Sequence, residues 1–218
     1  MLTRAESPIQ QPETKLGGWP VWVEQPVWPV SRATGEPMLF LGQVCVEPGL
    51  FPVEPGLVAY LFMTGGEPRD LETWDPHSGE NAVILQRRSP DRKPVITEGP
   101  CLHETFWEEG IAMQRPIELA AAVAIGEELP EIEYDEYLQL PVERQAEYDQ
   151  QMGLKMGGTP EWIQGDEMPA GWRLLVQIPD YPELDGTCIQ TDWNFGTGVC
   201  YVLISPGYTE GLLLWQCG

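Results

Sequence analysis

Short apolar runs bounded by turn residues dominate the hydrophobic pattern of this chain. Runs of this length, with glycine, proline or charged residues on either side, are typical of buried strands. They predict strands at 39–44, 56–62, 82–86, 94–97, 174–178 and 198–204. The first two runs, and likewise the last two, are predicted to pair as antiparallel neighbours.

A helical pattern is confined to the middle of the chain. The stretch 141–152 begins with Pro141 at a first helical position and stops before Gly153, which predicts a helix. The run IELAAAVAIG stays open between helix and strand, because its alanines favour a helix whereas Val123 and Ile125 suit a strand. Residues 1–13 are polar without apolar periodicity and are predicted to form a flexible tail.

One phrase occurs twice: two glycines, a proline, a tryptophan, and then an apolar run that contains a glutamine. Its members are Gly17, Gly18, Pro20, Trp22 and Gln43 in the first copy and Gly157, Gly158, Pro160, Trp162 and Gln177 in the second. The glycines supply positive φ and the proline fixes φ, so the chain turns sharply before each strand pair. Because matched blocks recur in the same order, the sequence predicts an internal duplication.

These elements together predict a β-rich α+β fold. Two related units of antiparallel sheet, at about 14–97 and 153–218, would be joined by an acidic segment, 98–152, that contains the connecting helix. The two halves would pack as one globular unit, a single domain over 14–218. The 22 prolines and 23 glycines argue against long helices.

The net charge of the chain indicates which classes of partner it can bind. Acidic residues outnumber basic ones by 34 to 12, which gives a net charge of −22. Residues 98–149 hold 14 acidic and two basic residues, so this segment alone carries −12. Such a field repels nucleic acid and anionic membranes and attracts basic partners. The simpler alternative is an acidic face that only keeps the protein in solution.

The common motifs of catalysis and metal binding do not occur in the sequence. Gly-x-Ser-x-Gly, His-Glu-x-x-His, phosphate-binding glycine loops and Cys-x-x-Cys are all missing. His77 and His103 are interpreted as surface or packing residues, and the closeness of Cys101 to His103 carries little weight, because catalytic partners usually come from distant positions. We therefore expect no catalytic residue, no metal and no cofactor. The five cysteines and the lack of long apolar runs favour an unexported, cytoplasmic protein.

Aromatic, amide and acidic side chains are the candidates for binding a partner or ligand. They are Trp22, Trp162, Gln43, Gln177, Glu108, Glu109, Glu127 and Glu128. The tryptophans suit either an exposed recognition surface or the core between two packed units. Glutamines in apolar strands need hydrogen-bond partners, so we interpret them as structural first and ligand-contacting second.

The chain resembles the bacterial YwqG-like family, which is defined by sequence and has no assigned function. The resemblance covers roughly residues 14–217 and rests on Leu16-Gly17-Gly18 through Pro20, on Phe40-Leu41-Gly42-Gln43, on Met156 to Gln164, on Leu174 to Ile178 and on Gln216-Cys217. The chain departs from the family at Thr197, where the family usually has an aspartate. A more distant likeness is to eukaryotic proteins of the programmed-cell-death-protein-two type, which implies chaperoning of a basic ribosomal protein, although their cysteine-rich part is missing here.

The sequence therefore favours a non-catalytic, acidic protein-binding module, immunity-like or chaperone-like, for a basic protein partner. Neither nucleic acid nor membrane is an expected partner, and the oligomeric state stays open. The competing hypothesis is a small-molecule binder or hydrolase with its site in the crevice between the two halves. A deep pocket lined by Trp22 and Trp162 would favour the ligand, whereas a closed aromatic core beneath an acidic face would favour the protein partner.

Overall fold

The computed structural model describes residues 1–66, 71–130, 132, 134–184, 186–193 and 195–218. The strands are β1 (Leu2–Arg4), β2 (Lys15–Gly17), β3 (Val21–Trp22), β4 (Leu39–Cys45), β5 (Leu57–Met63), β6 (Asn81–Arg87), β7 (Val95–Ile96), β8 (His103–Glu108), β9 (Ile111–Pro116), β10 (Glu118–Ala121), β11 (Lys155–Met156), β12 (Arg173–Pro179), β13 (Glu183–Leu184), β14 (Thr187–Cys188), β15 (Gln190–Thr191), β16 (Val199–Ile204) and β17 (Gly211–Gln216). The helices are α1 (Tyr134–Tyr137) and α2 (Val142–Met152).

Two antiparallel sheets form the body of the molecule. The larger has six strands in the order β1-β10-β2-β4-β5-β6, and the smaller has four in the order β11-β12-β16-β17. The strands predicted from the apolar runs are present, and β4 pairs with β5, and β12 with β16, in antiparallel fashion as predicted. Both pairs contain an irregularity in register, after Phe40 and after Leu174. Such bulges increase the local twist of a strand pair.

A shared hydrophobic core joins the two sheets. Leu41 and Leu61 of the larger sheet belong to the same buried cluster as Leu175 and Val202 of the smaller sheet. All four side chains are fully buried. Burying a leucine or valine side chain stabilises a fold by roughly 1.5–3 kcal/mol. The sheets are therefore held together by the same apolar interaction that forms each of them.

The predicted α+β fold of two duplicated, helix-connected units is wrong. The chain is 37% strand and 6% helix, and its strands are distributed over several sheets. The middle segment does not simply connect two units, because its strand β10 lies between β1 and β2 in the larger sheet while β8 pairs with β15 from the C-terminal part. Hydrophobic periodicity indicates the individual strands, whereas these pairings join positions distant in sequence, which periodicity does not reveal.

Three local expectations have clear outcomes. The helix expected between Pro141 and Gly153 is present as α2. The ambiguous run at 117–126 contains strand β10, which pairs with both β1 and β2. The first 13 residues, expected to be flexible, include β1, whose Leu2 is buried. Pairing with β10 gives this N-terminal strand hydrogen bonds that the local sequence does not foretell.

Candidate functional site

Trp22 and Gln43 lie in the core and not on the surface. The Gln43 side chain accepts a hydrogen bond from the N–H of Val21 at 2.9 Å and donates one to the carbonyl of Glu13 at 2.9 Å. Trp22 stacks on Phe62, with ring centroids 5.9 Å apart, and its indole N–H donates to the hydroxyl of Thr97. Both Trp22 and Gln43 are fully buried. Gln43 attaches the chain on both sides of the first Gly-Gly turn to β4, and neither side chain is open to a partner or ligand.

Gln177 plays the corresponding local role in the second phrase. Its carbonyl oxygen accepts the N–H of Glu161 at 2.9 Å, and its amide donates to the carbonyl of Gly153 at 3.1 Å. Tyr201 adds a second tie, because its hydroxyl donates to the carbonyl of Glu161 at 2.6 Å. These bonds attach the chain just before Trp162 to the smaller sheet. Gln177 is buried, so it positions Trp162 and does not itself face a ligand.

Trp162 is half-buried and lines an open groove of about 520 Å³. Its ring packs on Tyr201, with centroids 4.5 Å apart. The rest of the groove comes from the Gly157–Pro160 turn, from the stretch 166–174 and from Leu50 and Phe51 after β4. The groove therefore joins both parts of the chain, but it contains only one of the two tryptophans expected in such a crevice.

The groove has an aromatic wall and two charged side chains. Trp172 and Met168 supply apolar surface beside Trp162, while Arg173 and Asp166 supply opposite charges. The Asp166 carboxylate accepts the N–H of Met168 at 2.8 Å, which fixes the turn at 166–168. Arg173 is exposed and forms no ion pair with the residues that the structure describes. The arrangement suits an apolar group that carries a charge, and no nucleophile and base are brought together there.

Glu128 contacts the second Gly-Gly turn, which lines this groove. Its carboxylate accepts the N–H of Thr159. Gly158 has φ of +72°, and a Cβ there would lie 2.9 Å from the same carboxylate oxygen. Only glycine therefore suits this position, because it adopts positive φ without strain and lets the carboxylate approach. Among the residues that the structure describes, Glu128 is thus the only one of the four candidate glutamates whose side chain has a hydrogen-bond partner in the chain.

Glu108, Glu109 and Glu127 are exposed to solvent. Glu108 and Glu109 lie at the tip of the hairpin formed by β8 and β9, where Glu109 and Gly110 both have positive φ, at 49° and 79°. Two such residues between paired strands are typical of a type I′ turn. Beside this tip three apolar side chains are exposed: Trp107 to 69%, Ile111 to 63% and Met113 to 43%.

Two other acids of the middle segment are used internally. Glu118 pairs with Lys15, whose side chain is only 1% exposed. Burial lowers the pKa of Lys15, and the hydrogen bond and charge of Glu118 oppose that lowering. Glu104 bonds both Arg4 and Arg115. Burial acts to raise the pKa of Glu104, but the two arginines outweigh it and hold this pKa below its ordinary value.

The Cys101 and His103 pair lacks the features of a catalytic dyad. Burial raises the pKa of the Cys101 thiol, and the charge of Asp192 raises it further. This direction is opposite to the one that activates a cysteine nucleophile. His103 is engaged with Asp192, whose Oδ2 lies 3.2 Å from the His103 Nδ1. Across the described parts of the chain, no three His, Cys, Asp or Glu side chains are grouped so that they could hold a metal ion.

The sequence missed two features of this region. Trp172 belongs to the tryptophans whose pattern suits a recognition surface, but Arg173 gave no signal, because the groove depends on Leu50 and Phe51, far away in sequence. The exposed hairpin was also missed, although the Glu109-Gly110 dipeptide between Trp107 and Ile111 is a possible signal of a tight turn. Neither helix in the described chain is long and apolar enough to cross a membrane.

Comparison with known proteins identifies a family whose function is unknown. Among curated proteins, none matches the chain significantly. The family model described as "Domain of unknown function (DUF1963)" matches residues 14–209, which include the groove and every strand of the two sheets except β1 and β17. Since the match spans most of the 218 residues, the chain belongs to the DUF1963 family.

Proposed function

We propose that this protein is a non-catalytic binding module that contacts a basic protein partner through its acidic middle segment. The observation that carries the proposal is that most acids of this segment are exposed and neutralise no buried cation, and that exposed apolar side chains occur in the same stretches of the chain. This acidic surface consists of Glu108, Glu109, Glu127, Asp135, Glu136, Glu143, Glu147 and Asp149 together with Trp107, Ile111, Ile125, Leu138 and Val142. Charge there attracts a basic partner, and the apolar groups supply area that can be buried against it.

Exposed aliphatic side chains support a binding surface over a purely solvating face. Ile125 is 71% exposed and Val142 is 75% exposed, although each costs free energy when it faces water. Exposed acids alone would explain solubility, but they do not require aliphatic side chains among them. A surface that combines both is typical of a binding site with a charged rim. Either an immunity-like role or a chaperone-like role would use such a surface.

The sequence supports a bacterial origin and a cytoplasmic location for this protein. The YwqG-like resemblance points to a bacterial protein within the DUF1963 family, and a cytoplasmic location fits a chain whose five cysteines are free thiols. Burial raises the pKa of Cys45 to about 11, so this thiol stays protonated and unreactive at neutral pH. Nucleic acid is disfavoured as a partner because the net charge is −22.

The test compares two charge variants of the whole chain. The first variant changes five acids of the acidic surface to the corresponding amides: Glu108, Glu109, Glu127, Glu143 and Asp149. The matched control makes the same change at five exposed acids elsewhere: Glu6, Glu36, Glu54, Asp91 and Glu210. The probe is a synthetic peptide in which lysine alternates with valine and threonine. We expect the first variant to associate about tenfold more slowly than the control at low salt, with the difference shrinking as salt is added. An unchanged rate, or an equal loss in both variants, would contradict the proposal.

A second candidate, a small-molecule binder or hydrolase, is favoured by the groove. Trp162 and Trp172 offer aromatic faces, and Arg173 offers a cation that forms no ion pair within the described part of the chain. An aromatic carboxylate would satisfy both features. Heat released on binding of indole-3-acetate in a calorimetric titration, lost in Arg173→Ala, would support this candidate; no binding heat with the wild-type chain would count against it.

A further inference from the structure

We propose that β9 binds an extended segment of the basic partner as an added β-strand. The inference rests on the proposed function and specifies how the acidic surface holds its partner. β9 is the outer strand of the three-stranded sheet β15-β8-β9. All of its six residues are exposed, and no strand of the described chain lies on its outer side. Such an edge presents unpaired N–H and C=O groups to an incoming chain.

The register shows which backbone groups are free. In a two-residue hairpin the residues that flank the turn form a hydrogen-bonded pair, here Glu108 and Ile111. Hydrogen-bonded pairs then alternate along the ladder, and this parity agrees with the bond from the Ile117 N–H to the Leu102 carbonyl at 3.0 Å. The N–H and C=O groups of Ala112 and Gln114 therefore point away from β8.

Two further observations agree with this assignment. The His103 carbonyl accepts a hydrogen bond from the N–H of Asp192, just after β15, so the alternate residues of β8 face the other edge. Pro116 falls in the same outward-facing series as Ala112 and Gln114, because it pairs with His103. Its missing N–H therefore removes no hydrogen bond within the hairpin, and it sets the end of the free edge.

Both faces of the hairpin offer apolar contacts to an added strand. Ile111 and Met113 share one face with Phe106, whereas Trp107 and Ala112 share the other. Arg115 is the only cation of β9; it lies over Phe106 at 4.8 Å and bonds Glu104. A free lysine or an inward-pointing charge usually protects an exposed edge from pairing, and β9 has neither.

Charge selects a basic strand over a second copy of this chain. Pairing two copies along β9 would bring together two molecules that each carry −22. A strand with lysine or arginine would instead meet Glu108 and Glu109 beside the edge and would reduce the repulsion. The occupant we assign is thus an extended, basic segment whose apolar side chains alternate with charged ones.

The experiment follows the amides of β9 in the full chain as the lysine–valine–threonine peptide is added. We expect slower hydrogen exchange at Ala112 and Gln114 and little change at Met113, whose N–H already faces β8. In Gln114→Pro the outward N–H is lost, and we expect peptide affinity to fall about tenfold, against less than twofold in the matched Gln114→Ala. Unprotected amides at Ala112 and Gln114 in the saturated wild-type complex would overturn the inference.

The outcomes separate this inference from the proposed function. If the five-amide variant loses peptide binding while Gln114→Pro binds like the wild type, the edge-strand inference fails and the acidic surface stands. If neither variant changes binding, both proposals fail. Protection of the same amides without peptide, together with a dimer in light scattering, would identify a second copy as the occupant and overturn the inference. Should Gln114→Pro disrupt the hairpin, the exchange measurement on the wild-type chain decides alone.

Discussion

At the scale of single residues, acids of the middle segment have two separate roles. Glu118 and Glu104 are largely shielded from solvent and neutralise cations, whereas Glu108 and Glu127 face the solvent. Lys15 depends on the first group, because its ammonium bonds Glu118 and the carbonyl of Trp19 at 2.7 Å inside the larger sheet. Composition alone does not separate these roles. The burial of a cation beside one acid makes that acid structural.

Glu104 should make stability depend on acid pH. Its folded-state pKa lies below the ordinary value of 4.5, because Arg4 and Arg115 outweigh the effect of burial. Its contribution is therefore complete above pH 4.5 and is lost as the pH falls through the lowered pKa. We expect Glu104→Gln to lower the unfolding free energy by about 1.5–3 kcal/mol at neutral pH and to lower it much less at strongly acidic pH.

Urea unfolding across this pH range measures the effect of Glu104. Glu108→Gln is the matched control, because Glu108 belongs to the same strand and is exposed. A loss in Glu104→Gln that is the same at every pH would show that the carboxylate charge contributes nothing and that only side-chain packing was changed.

At the scale of elements, apolar runs predicted strands well where both faces are buried. β5 is buried along its whole length, so its sequence reads as an uninterrupted apolar run. β9 is exposed on both faces and carries no such pattern, so it was missed. β10 was ambiguous because its place between β1 and β2 comes from partners distant in sequence. Burial on two faces is thus readable from the chain, whereas an exposed edge and the strand order are not.

The sequence likewise predicted only part of the candidate site. The conformation of the second Gly-Gly turn and the need of Gln177 for backbone partners followed from residue chemistry, and both are present. The groove was not foreseen in its actual form. It requires Phe51 and Trp172 to meet across the fold, and no local pattern encodes that meeting.

Gln177 should couple the smaller sheet to the groove. Gln177→Ala removes the acceptor of the Glu161 N–H and the donor to the Gly153 carbonyl. Leaving buried groups unsatisfied costs about 1–3 kcal/mol, and we expect Trp162 to become more mobile because the chain before it loses a tie. Thermal unfolding measures the loss of free energy. Acrylamide quenching of tryptophan fluorescence measures the mobility of Trp162, taken as the difference between the chain with Trp162 and the chain with Trp162→Phe.

Gln43→Ala is the matched control for this experiment. Gln43 makes the equivalent bond to Val21, on the side of Trp22. It should cost a similar free energy of unfolding without changing the quenching that depends on Trp162. Equal changes at Trp162 in both variants would contradict a local coupling and indicate general loosening of the fold.

At the scale of the whole molecule, a shared hydrophobic core stabilises a chain whose surface charges repel one another. Leu61 and Leu175 pack into one cluster from the two sheets, while the chain carries a net charge of −22. Hydrophobic burial does not depend on the charge of the surface, so the fold tolerates this field. The field nevertheless opposes compactness, because like charges lie closer together in the folded chain than in the unfolded one.

Salt should therefore stabilise this protein. Sodium chloride shortens the Debye length to about 10 Å at 0.1 M, which weakens repulsion among exposed acids more than attraction in the shielded pair of Glu118 and Lys15. A gain of about 1 kcal/mol would raise the unfolding midpoint by roughly 2–4 °C in a chain of this size. The five-amide variant, whose charge falls from −22 to −17, should gain less. Calorimetry measures the unfolding midpoint as sodium chloride is added. Chloride is used and not sulfate, because sulfate also strengthens apolar burial. A midpoint that falls with salt would mean that attractive ion pairs outweigh the repulsion of the acidic surface.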